Sequence, residues 1–187
     1  KDVVLCWGYH GFHDWYVGTT DRNAGIPNAV KRLTKTFEYY DIEGLKKLFK
    51  KHKNNVAAVI MEPIIGQKPD WPIHTYGYGK ETKNCTNSSV STFLRQVKEM
   101  AHKNNSLFIL DEMISGFRFS MGGAGEYFGV YPDLATFGKG ITNGMPLGVL
   151  TGGKKYMKEF DKVFLSSTYA PETLTLAAAS ANIDFYI

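Results

Sequence analysis

Residues 91–112, with the sequence STFLRQVKEMAHKNNSLFILDE, indicate the fold of this protein. Apolar residues recur at helical spacing between Phe93 and Met100, so the first part predicts an amphipathic helix. The apolar run 107–110 has the length of a buried strand and leads directly into Asp111 and Glu112. A helix followed at once by a buried strand is typical of α/β proteins with a mostly parallel sheet.

The same alternation continues on both sides of this stretch. Further strands are predicted at 3–7, 33–39, 56–61, 134–137 and 147–151. Further helices are predicted at 42–53, with Asp41 as the N-cap, at 154–160, and from 172 onwards. Residues 64–89 have no periodic pattern and are predicted to be irregular. We therefore predict an α/β fold with a mostly parallel sheet, buried by helices on both faces.

Composition and charge exclude several classes of protein. The chain has 187 residues, of which 43% are hydrophobic and 21% charged, which are ordinary globular values. No apolar run approaches the roughly 20 residues of a membrane-spanning helix, and we expect no membrane partner. The net charge of +4 owes much to the lysines between Lys46 and Lys53. We interpret them as a solvated helix face, while a patch for nucleic acid or anionic membranes is the less favoured alternative.

Cysteine usage and the chain ends give two further expectations. Cys6 and Cys85 suggest neither a disulfide framework nor a zinc or other metal site, and we predict a cytoplasmic protein. A strand pattern begins almost at Lys1, and an apolar helical pattern continues to Ile187. The chain is therefore expected to be the central part of a longer one.

Polar side chains follow several predicted strands. Tyr9 and His10 follow the first, Glu62 the strand at 56–61, Asp111 the strand at 107–110, and Lys139 the strand at 134–137. Because ligands of parallel sheets bind at the carboxyl ends of the strands, these residues are candidates for one site.

Residue chemistry alone leaves alternatives for each candidate. Lys139 lies between two glycines and is either a partly desolvated nucleophile or a surface lysine in a turn. Asp111 needs a cationic partner if it is buried, which is Arg118, Lys139 or a protonated ring nitrogen of a ligand. Tyr9 and His10 are either core aromatics or a flat lid over a planar group.

Two short motifs are less specific. Residues 122–125, GGAG, lack the spacing of a phosphate-binding loop. Residues 166–168, SST, precede the last predicted helix and are either an anion site or ordinary helix capping.

Taken together, these segments resemble the class III pyridoxal-5′-phosphate aminotransferases, which have the fold-type I architecture. Within them the chain is most similar to the glutamate-1-semialdehyde 2,1-aminomutase-like branch. The matching stretches are GYHGFHDWY (8–16), AAVIMEPI (57–64), FILDEMISGFRF (108–119), PDLATFGKGITNGMPLGVLTGG (132–153) and, less tightly, SSTYAPETLTLAAA (166–179).

The resemblance implies catalytic roles for two residues. Lys139 would hold pyridoxal 5′-phosphate as a Schiff base and later move a proton between the substrate and the cofactor. Asp111 would pair with the protonated pyridine nitrogen and keep the ring an electron sink.

It also implies further contacts with the cofactor. Tyr9 would lie against one face of the ring, beside His10, and Met113 against the other. Glu62 would lie near the cofactor's 3-hydroxyl and the substrate. Thr168 would reach the phosphate of a neighbouring subunit, so the active site would be shared across a homodimer.

Departures from the family pattern keep several hypotheses open. Residues 1–187 would be the central part of the three-layer large domain, without the upstream segment and the C-terminal small domain. Residue 67 is Gln and no Gly-Glu-Gly follows it, which weakens a plain ω-aminotransferase interpretation. The leading hypothesis is an aminomutase acting on a small amine or carbonyl substrate. The alternatives are a two-substrate aminotransferase on a sugar, polyketide or other carbonyl compound, a non-catalytic fragment of the cofactor domain, and a basic binding module.

Overall fold

The computed structural model of the chain describes residues 1–64, 86–168 and 172–187. Within these ranges one sheet has the strand order β2-β1-β3-β4-β5-β6. The first five strands are parallel, and β6 runs antiparallel to β5. The strands are β1 (Val3–Trp7), β2 (Thr34–Thr36), β3 (Val56–Met61), β4 (Leu107–Asp111), β5 (Leu134–Phe137) and β6 (Val149–Gly152). The predicted α/β class with a mostly parallel sheet is confirmed.

Helices connect the parallel strands, as crossovers in such a sheet require. The helices are α1 (Asp14–Val17), α2 (Asn28–Lys31), α3 (Ile42–Lys51), α4 (Asn87–Lys103), α5 (Gly123–Tyr127), α6 (Lys154–Met157) and α7 (Thr173–Tyr186). Short 3₁₀ turns follow β5 at Lys139–Ile141 and α6 at Lys158–Lys162. In the part of the chain that is described, no helix combines the length and apolarity needed to cross a membrane.

One face of the sheet carries the hydrophobic core. Leu5, Val59 and Phe108 are neighbours across three strands, and all three are fully buried. They belong to one apolar cluster with Leu45 of α3 and Leu94 of α4. Burial of each such side chain stabilises the fold by about 1.5–3 kcal/mol, so α3 and α4 hold the sheet from this side.

Burial on the two faces of the sheet is unequal. Side chains alternate along a strand, so Val4, Ile60 and Ile109 point away from the face that α3 and α4 cover. These three residues are only half-buried, whereas their strand neighbours Leu5 and Val59 are fully buried.

Helix α4 begins four residues before its predicted start. Thr86 and Ser89 form a capping box, in which the Thr86 hydroxyl accepts from Ser89 N at 3.2 Å and the Ser89 hydroxyl accepts from Thr86 N at 2.9 Å. The prediction of irregular structure up to residue 89 is therefore wrong at its end. Residues 65–85, with Gln67 and Cys85, lie outside the described residues.

Other boundaries differ by a few residues. β2 is shorter than the predicted strand at 33–39, and β6 begins at Val149 rather than at 147. The helix predicted at 154–160 is α6 followed by a 3₁₀ turn. Asp41 caps α3 as predicted, since its carboxylate accepts from Gly44 N at 2.8 Å.

Candidate active site

The carboxyl ends of β1, β3, β4 and β5 meet at one edge of the sheet. The chain leaves β1 to form β2 on one side and returns to form β3 on the other, so the strand order reverses at β1. Open α/β sheets bind ligands in the crevice at such a reversal. Tyr9 and Glu62 lie at this point. Asp111 is the last residue of β4, and Lys139 follows the end of β5.

Glu62 fixes the backbone that follows β1. Its Oε2 accepts from Tyr9 N at 2.8 Å, and the residue is only 4% exposed. Gly8 has φ +100°, and a Cβ at that position would overlap Glu62 Oε2. Glycine is therefore required at Gly8 both by its conformation and by space. Burial raises the pKa of the Glu62 carboxyl, and the nearby charge of Asp111 also raises it, although the Tyr9 N–H lowers it.

Within the chain, Asp111 is paired with His10 and not with Arg118 or Lys139, two of the three partners considered from the sequence. His10 Nδ1 lies 2.7 Å from Asp111 Oδ2, and both side chains are buried. The other ring nitrogen, His10 Nε2, lies 3.0 Å from the carbonyl oxygen of Trp7. A buried carboxylate without a partner is costly, and His10 supplies the partner within the chain.

His10 contacts two oxygens, one through each ring nitrogen. A carbonyl oxygen only accepts, so the ring donates from Nε2 to the Trp7 carbonyl oxygen. This hydrogen bond orients the ring, and its other nitrogen, Nδ1, faces Asp111 Oδ2.

His10 does not form the flat lid suggested as one alternative from the sequence. Its ring is buried and stacks on Trp15 at 5.8 Å between ring centroids, with 19° between the planes. It also meets Tyr16 edge-on at 5.4 Å. The residue thus supports Asp111 from inside the protein instead of covering the site.

The remaining capacity of Asp111 fits a protonated ring nitrogen. Asp111 Oδ1 accepts from Met113 N at 3.0 Å and from the Thr136 hydroxyl at 3.2 Å. A carboxylate oxygen accepts two hydrogen bonds well, so Oδ1 is filled while Oδ2 keeps one position besides His10. The residue is 6% exposed at the sheet edge. Asp111 Oδ2 can therefore accept one more hydrogen bond, from an N–H group of a ligand.

Tyr9 presents an aromatic surface at the same edge. The residue is 52% exposed, and its ring meets Tyr16 edge-on at 5.5 Å. A cleft of about 830 Å³ lies beside it at the carboxyl ends of β1 and β2, with Phe12, Arg22 and Glu38 among its lining residues. A planar ligand against Tyr9 would have this cleft next to it.

Lys139 begins the 3₁₀ turn after β5. It has φ +44°. Of the two alternatives left open by residue chemistry, the structure matches the surface lysine in a turn, because the Lys139 side chain is exposed. A Cβ at Gly138 would overlap Met113 Sδ, so Met113 packs closely on the residue before the lysine. Met113 thereby connects the Asp111 end of β4 with the Lys139 end of β5.

A buried carboxylate next to Asp111 was not expected from the sequence. Glu112 is 1% exposed and accepts from the Ser115 hydroxyl, from Ala124 N at 3.0 Å and from Gly125 N at 2.7 Å. Burial, together with the nearby charge of Asp111, raises the pKa of its carboxyl, although the three donors lower it. The glycine-rich run 122–125 therefore binds an internal carboxylate, and two adjacent acidic residues at a strand end were the available signal.

Thr168 stands apart from the other candidates. It is exposed. Within the described ranges it takes part neither in the Tyr9–Glu62 hydrogen bond nor in the hydrogen bonds of Asp111 with His10 and Met113. Helix α7 is capped by Glu172, which accepts from Leu174 N at 2.8 Å and from Thr175 N at 2.7 Å. The anion position at this helix start is thus filled by Glu172, and the SST run does not cap the helix.

Comparison with known proteins gives one family. The sequence profile of the family "Aminotransferase class-III" matches residues 7–186. The chain is 37% identical to the 3-aminobutyryl-CoA aminotransferase of Cloacimonas acidaminovorans over 98% of this chain and 41% of that protein. It is 35% identical to the glutamate-1-semialdehyde 2,1-aminomutase of Hyperthermus butylicus over 94% of this chain and 40% of that protein.

A solved structure shows the same fold. The FumI protein of Sphingopyxis sp. MTA144 superposes with a TM-score of 0.81 and 23% identity, covering 100% of this chain and 41% of that one. The chain therefore spans about two fifths of the length of the relatives it matches. The predicted resemblance to the class III aminotransferases is confirmed, and pyridoxal phosphate is the cofactor of that family.

Proposed function

Because the chain belongs to the class III aminotransferase family, we propose that the protein moves amino groups between small amine and carbonyl compounds with pyridoxal 5′-phosphate. The observation that carries this proposal is the buried Asp111 carboxylate, which keeps one acceptor position at the edge of the sheet where Lys139 also lies. Bound pyridoxal phosphate supplies an aldehyde that condenses with amines and a protonated ring that withdraws electrons.

Several residues of this chain would each have a different role at the cofactor. Asp111 would accept a hydrogen bond from the ring nitrogen at Oδ2, and His10 would hold the carboxylate in place. Tyr9 and Met113 would lie against the two faces of the ring. The Lys139 amine would attach the cofactor and then carry a proton as a general base and acid. Glu62, whose pKa burial raises, would lie near the cofactor's 3-hydroxyl.

Residues 1–187 would form the central part of the large cofactor domain. The chain covers about 41% of the 3-aminobutyryl-CoA aminotransferase, which supports the presence of flanking segments in the whole protein. Those segments would complete the phosphate site and cover Lys139. An isolated chain without cofactor affinity would be the non-catalytic fragment considered from the sequence.

Amino-group transfer within one substrate skeleton, as in an aminomutase, is the finer proposal. The glutamate-1-semialdehyde 2,1-aminomutase of Hyperthermus butylicus at 35% identity supports it. The 3-aminobutyryl-CoA aminotransferase at 37% identity favours a two-substrate aminotransferase as the second candidate. Incubation of the purified protein with one amino-carbonyl substrate and no acceptor separates them: isomerisation supports the mutase, and turnover only after a keto acid is added supports the aminotransferase.

Attachment of the cofactor tests the central proposal. We expect borohydride reduction of the full-length protein with pyridoxal phosphate, followed by peptide mass mapping, to give one adduct at Lys139. Lys139→Ala should lose the adduct, whereas Lys154→Ala, an exposed lysine at the start of α6, should keep it. An adduct at full yield in the Lys139→Ala protein would overturn the assignment.

Asp111→Asn tests the second role. This variant should lower the rate of amino-group transfer far more than it lowers the affinity for the cofactor.

A shared site in a homodimer is the proposal for Thr168. We expect Lys139→Ala and Thr168→Val proteins each to be inactive. In a mixed dimer, the subunit with an intact lysine would face the subunit with an intact threonine, so mixing should restore part of the activity. No recovery after proven subunit exchange would mean that Thr168 acts within its own subunit or not at all.

A further inference from the structure

The turn that carries Lys139 has an unusual backbone. Lys139 and Asn143, at its two ends, both have positive φ values, +44° and +49°. This conformation is uncommon for non-glycine residues, and it is less favourable for lysine than for asparagine. Within the turn, Thr142 N and Asn143 N both donate to the Lys139 carbonyl oxygen, at 3.3 and 3.0 Å. The direction of the Lys139 side chain therefore depends on what fixes this turn.

One side chain of helix α7 forms hydrogen bonds with this turn. Asn182 Nδ2 donates to the carbonyl oxygens of Gly140 at 2.7 Å and of Ile141 at 3.1 Å. Asn182 Oδ1 accepts from Asn143 Nδ2 at 2.9 Å. Carbonyl groups at the end of a short helical turn have no partner inside it, so the Asn182 amide satisfies two of them and also binds the residue that closes the turn.

Aromatic and backbone packing supports the same junction. Tyr186, one helical turn after Asn182, stacks on Phe117 with ring centroids 5.5 Å apart and 18° between the planes. A Cβ at Gly140 would lie 3.2 Å from the Gly116 carbonyl oxygen, so the turn lies close to the segment after β4. Helix α7, this segment and the turn therefore meet beside Lys139, where they line a cleft of about 590 Å³.

We infer that Asn182 is a positioning residue, which holds the 139–143 turn so that the Lys139 amine points to the cofactor. This inference rests on the proposed function. Asn182 touches neither reacting group; it acts through the carbonyl groups of Gly140 and Ile141 and through Asn143. The segment 172–187 thus contributes to the function of the 139–143 turn by holding it in place.

Replacement of one atom tests the inference. Asn182→Asp keeps the acceptor for Asn143 but places an oxygen against the carbonyl oxygens of Gly140 and Ile141. We expect attachment of pyridoxal phosphate to Lys139 in the full-length protein, followed by borohydride trapping, to be about tenfold slower than in wild type. Amide hydrogen exchange at Thr142 and Asn143 should become faster. Asp184→Asn, an exposed change on the same helix, is the control and should change neither.

Affinity for pyridoxamine phosphate separates positioning from general damage. This compound has an amine in place of the aldehyde and cannot attach to Lys139, so its affinity should stay within about twofold of wild type in Asn182→Asp. An equal loss in attachment rate and in pyridoxamine phosphate affinity would overturn the inference, as would attachment at the wild-type rate. If wild-type protein gives no adduct at Lys139, the proposed function fails instead. The exchange rates at Thr142 and Asn143 then decide whether Asn182 holds the turn.

Discussion

His10 Nδ1 lies 2.7 Å from Asp111 Oδ2, although 101 positions separate the two residues in the chain. His10 follows β1 and Asp111 ends β4, and β3 lies between these strands. The contact therefore spans three strands at the carboxyl edge of the sheet. It gives Asp111 a buried partner while one of its acceptor positions stays available for a ligand.

Loss of the His10 ring should destabilise the protein. His10→Phe keeps an aromatic ring beside Trp15 but leaves the buried Asp111 without its partner, so we expect the free energy of unfolding to fall by about 3 kcal/mol. Urea denaturation measures this change. His13→Phe removes an exposed imidazole nearby and should cost less than about 0.5 kcal/mol. Equal effects of the two changes would contradict the role given to the His10–Asp111 pair.

The glycine beside Glu112 should tolerate no side chain. Gly123 and Gly129 both have positive φ, at +82° and +65°, so alanine is strained at either position. A Cβ at Gly123 would also lie 2.7 Å from Glu112 Cδ, whereas nothing lies within 4 Å of a Cβ at Gly129. We expect Gly123→Ala to lower the free energy of unfolding by roughly 2 kcal/mol more than Gly129→Ala. Thermal or urea denaturation of the two variants would refute this if their losses were alike.

Glu112 should make stability depend on pH. Because its pKa is raised in the folded state, folded protein binds a proton more readily than unfolded protein between about pH 4.5 and the raised value. The contribution of Glu112 to the free energy of unfolding is therefore fully present below this pH range and is lost as pH rises through it. We expect the stability of wild type relative to Glu112→Gln to fall as pH rises above 4.5.

Glu126, in helix α5, provides the control for this pH series. The pKa of exposed Glu126 is lowered by hydrogen bonds from the Ser120 hydroxyl and from Gly122 N, so its contribution is lost only as pH falls below about 4.5. The difference in the free energy of unfolding between wild type and Glu126→Gln should thus change with pH only below that value. If the difference between wild type and Glu112→Gln did not change between pH 4.5 and 7, burial would not raise the pKa of Glu112.

Met113 and Gly138 should be energetically coupled. Gly138 has φ −168°, an extended conformation open to any residue, so Gly138→Ala costs free energy through steric contacts. Its Cβ would overlap Met113 Sδ, and it would also lie 3.1 Å from the Leu147 carbonyl oxygen. We expect a loss of about 1–3 kcal/mol in the free energy of unfolding. In Met113→Ala/Gly138→Ala the overlap is gone, and the combined loss should be smaller than the sum of the single losses. Strict additivity in the double-mutant cycle would place Met113 away from Gly138.

Local signals in the sequence were sufficient for most elements of the fold. Apolar runs of strand length gave β1, β3 and β5 at their observed bounds, and the Asp41 cap gave the start of α3. The start of α4 was missed because Thr86 and Ser89 cap it inside a stretch without apolar periodicity. Tyr9, Glu62, Asp111 and Lys139 could be found because polar residues directly follow apolar strands.

Only the tertiary structure decided how these residues are supported. Strand register places the Thr136 hydroxyl against Asp111, and the spacing of these two residues in the sequence does not predict that contact. His10 could be either a core aromatic or part of a lid, because the sequence around an aromatic ring beside glycine does not indicate which way the ring points. Asn182 meets the Lys139 turn from a helix more than forty positions away. Patterns along the chain determined which groups reach the sheet edge, because periodicity is local; their partners depended on packing between distant segments.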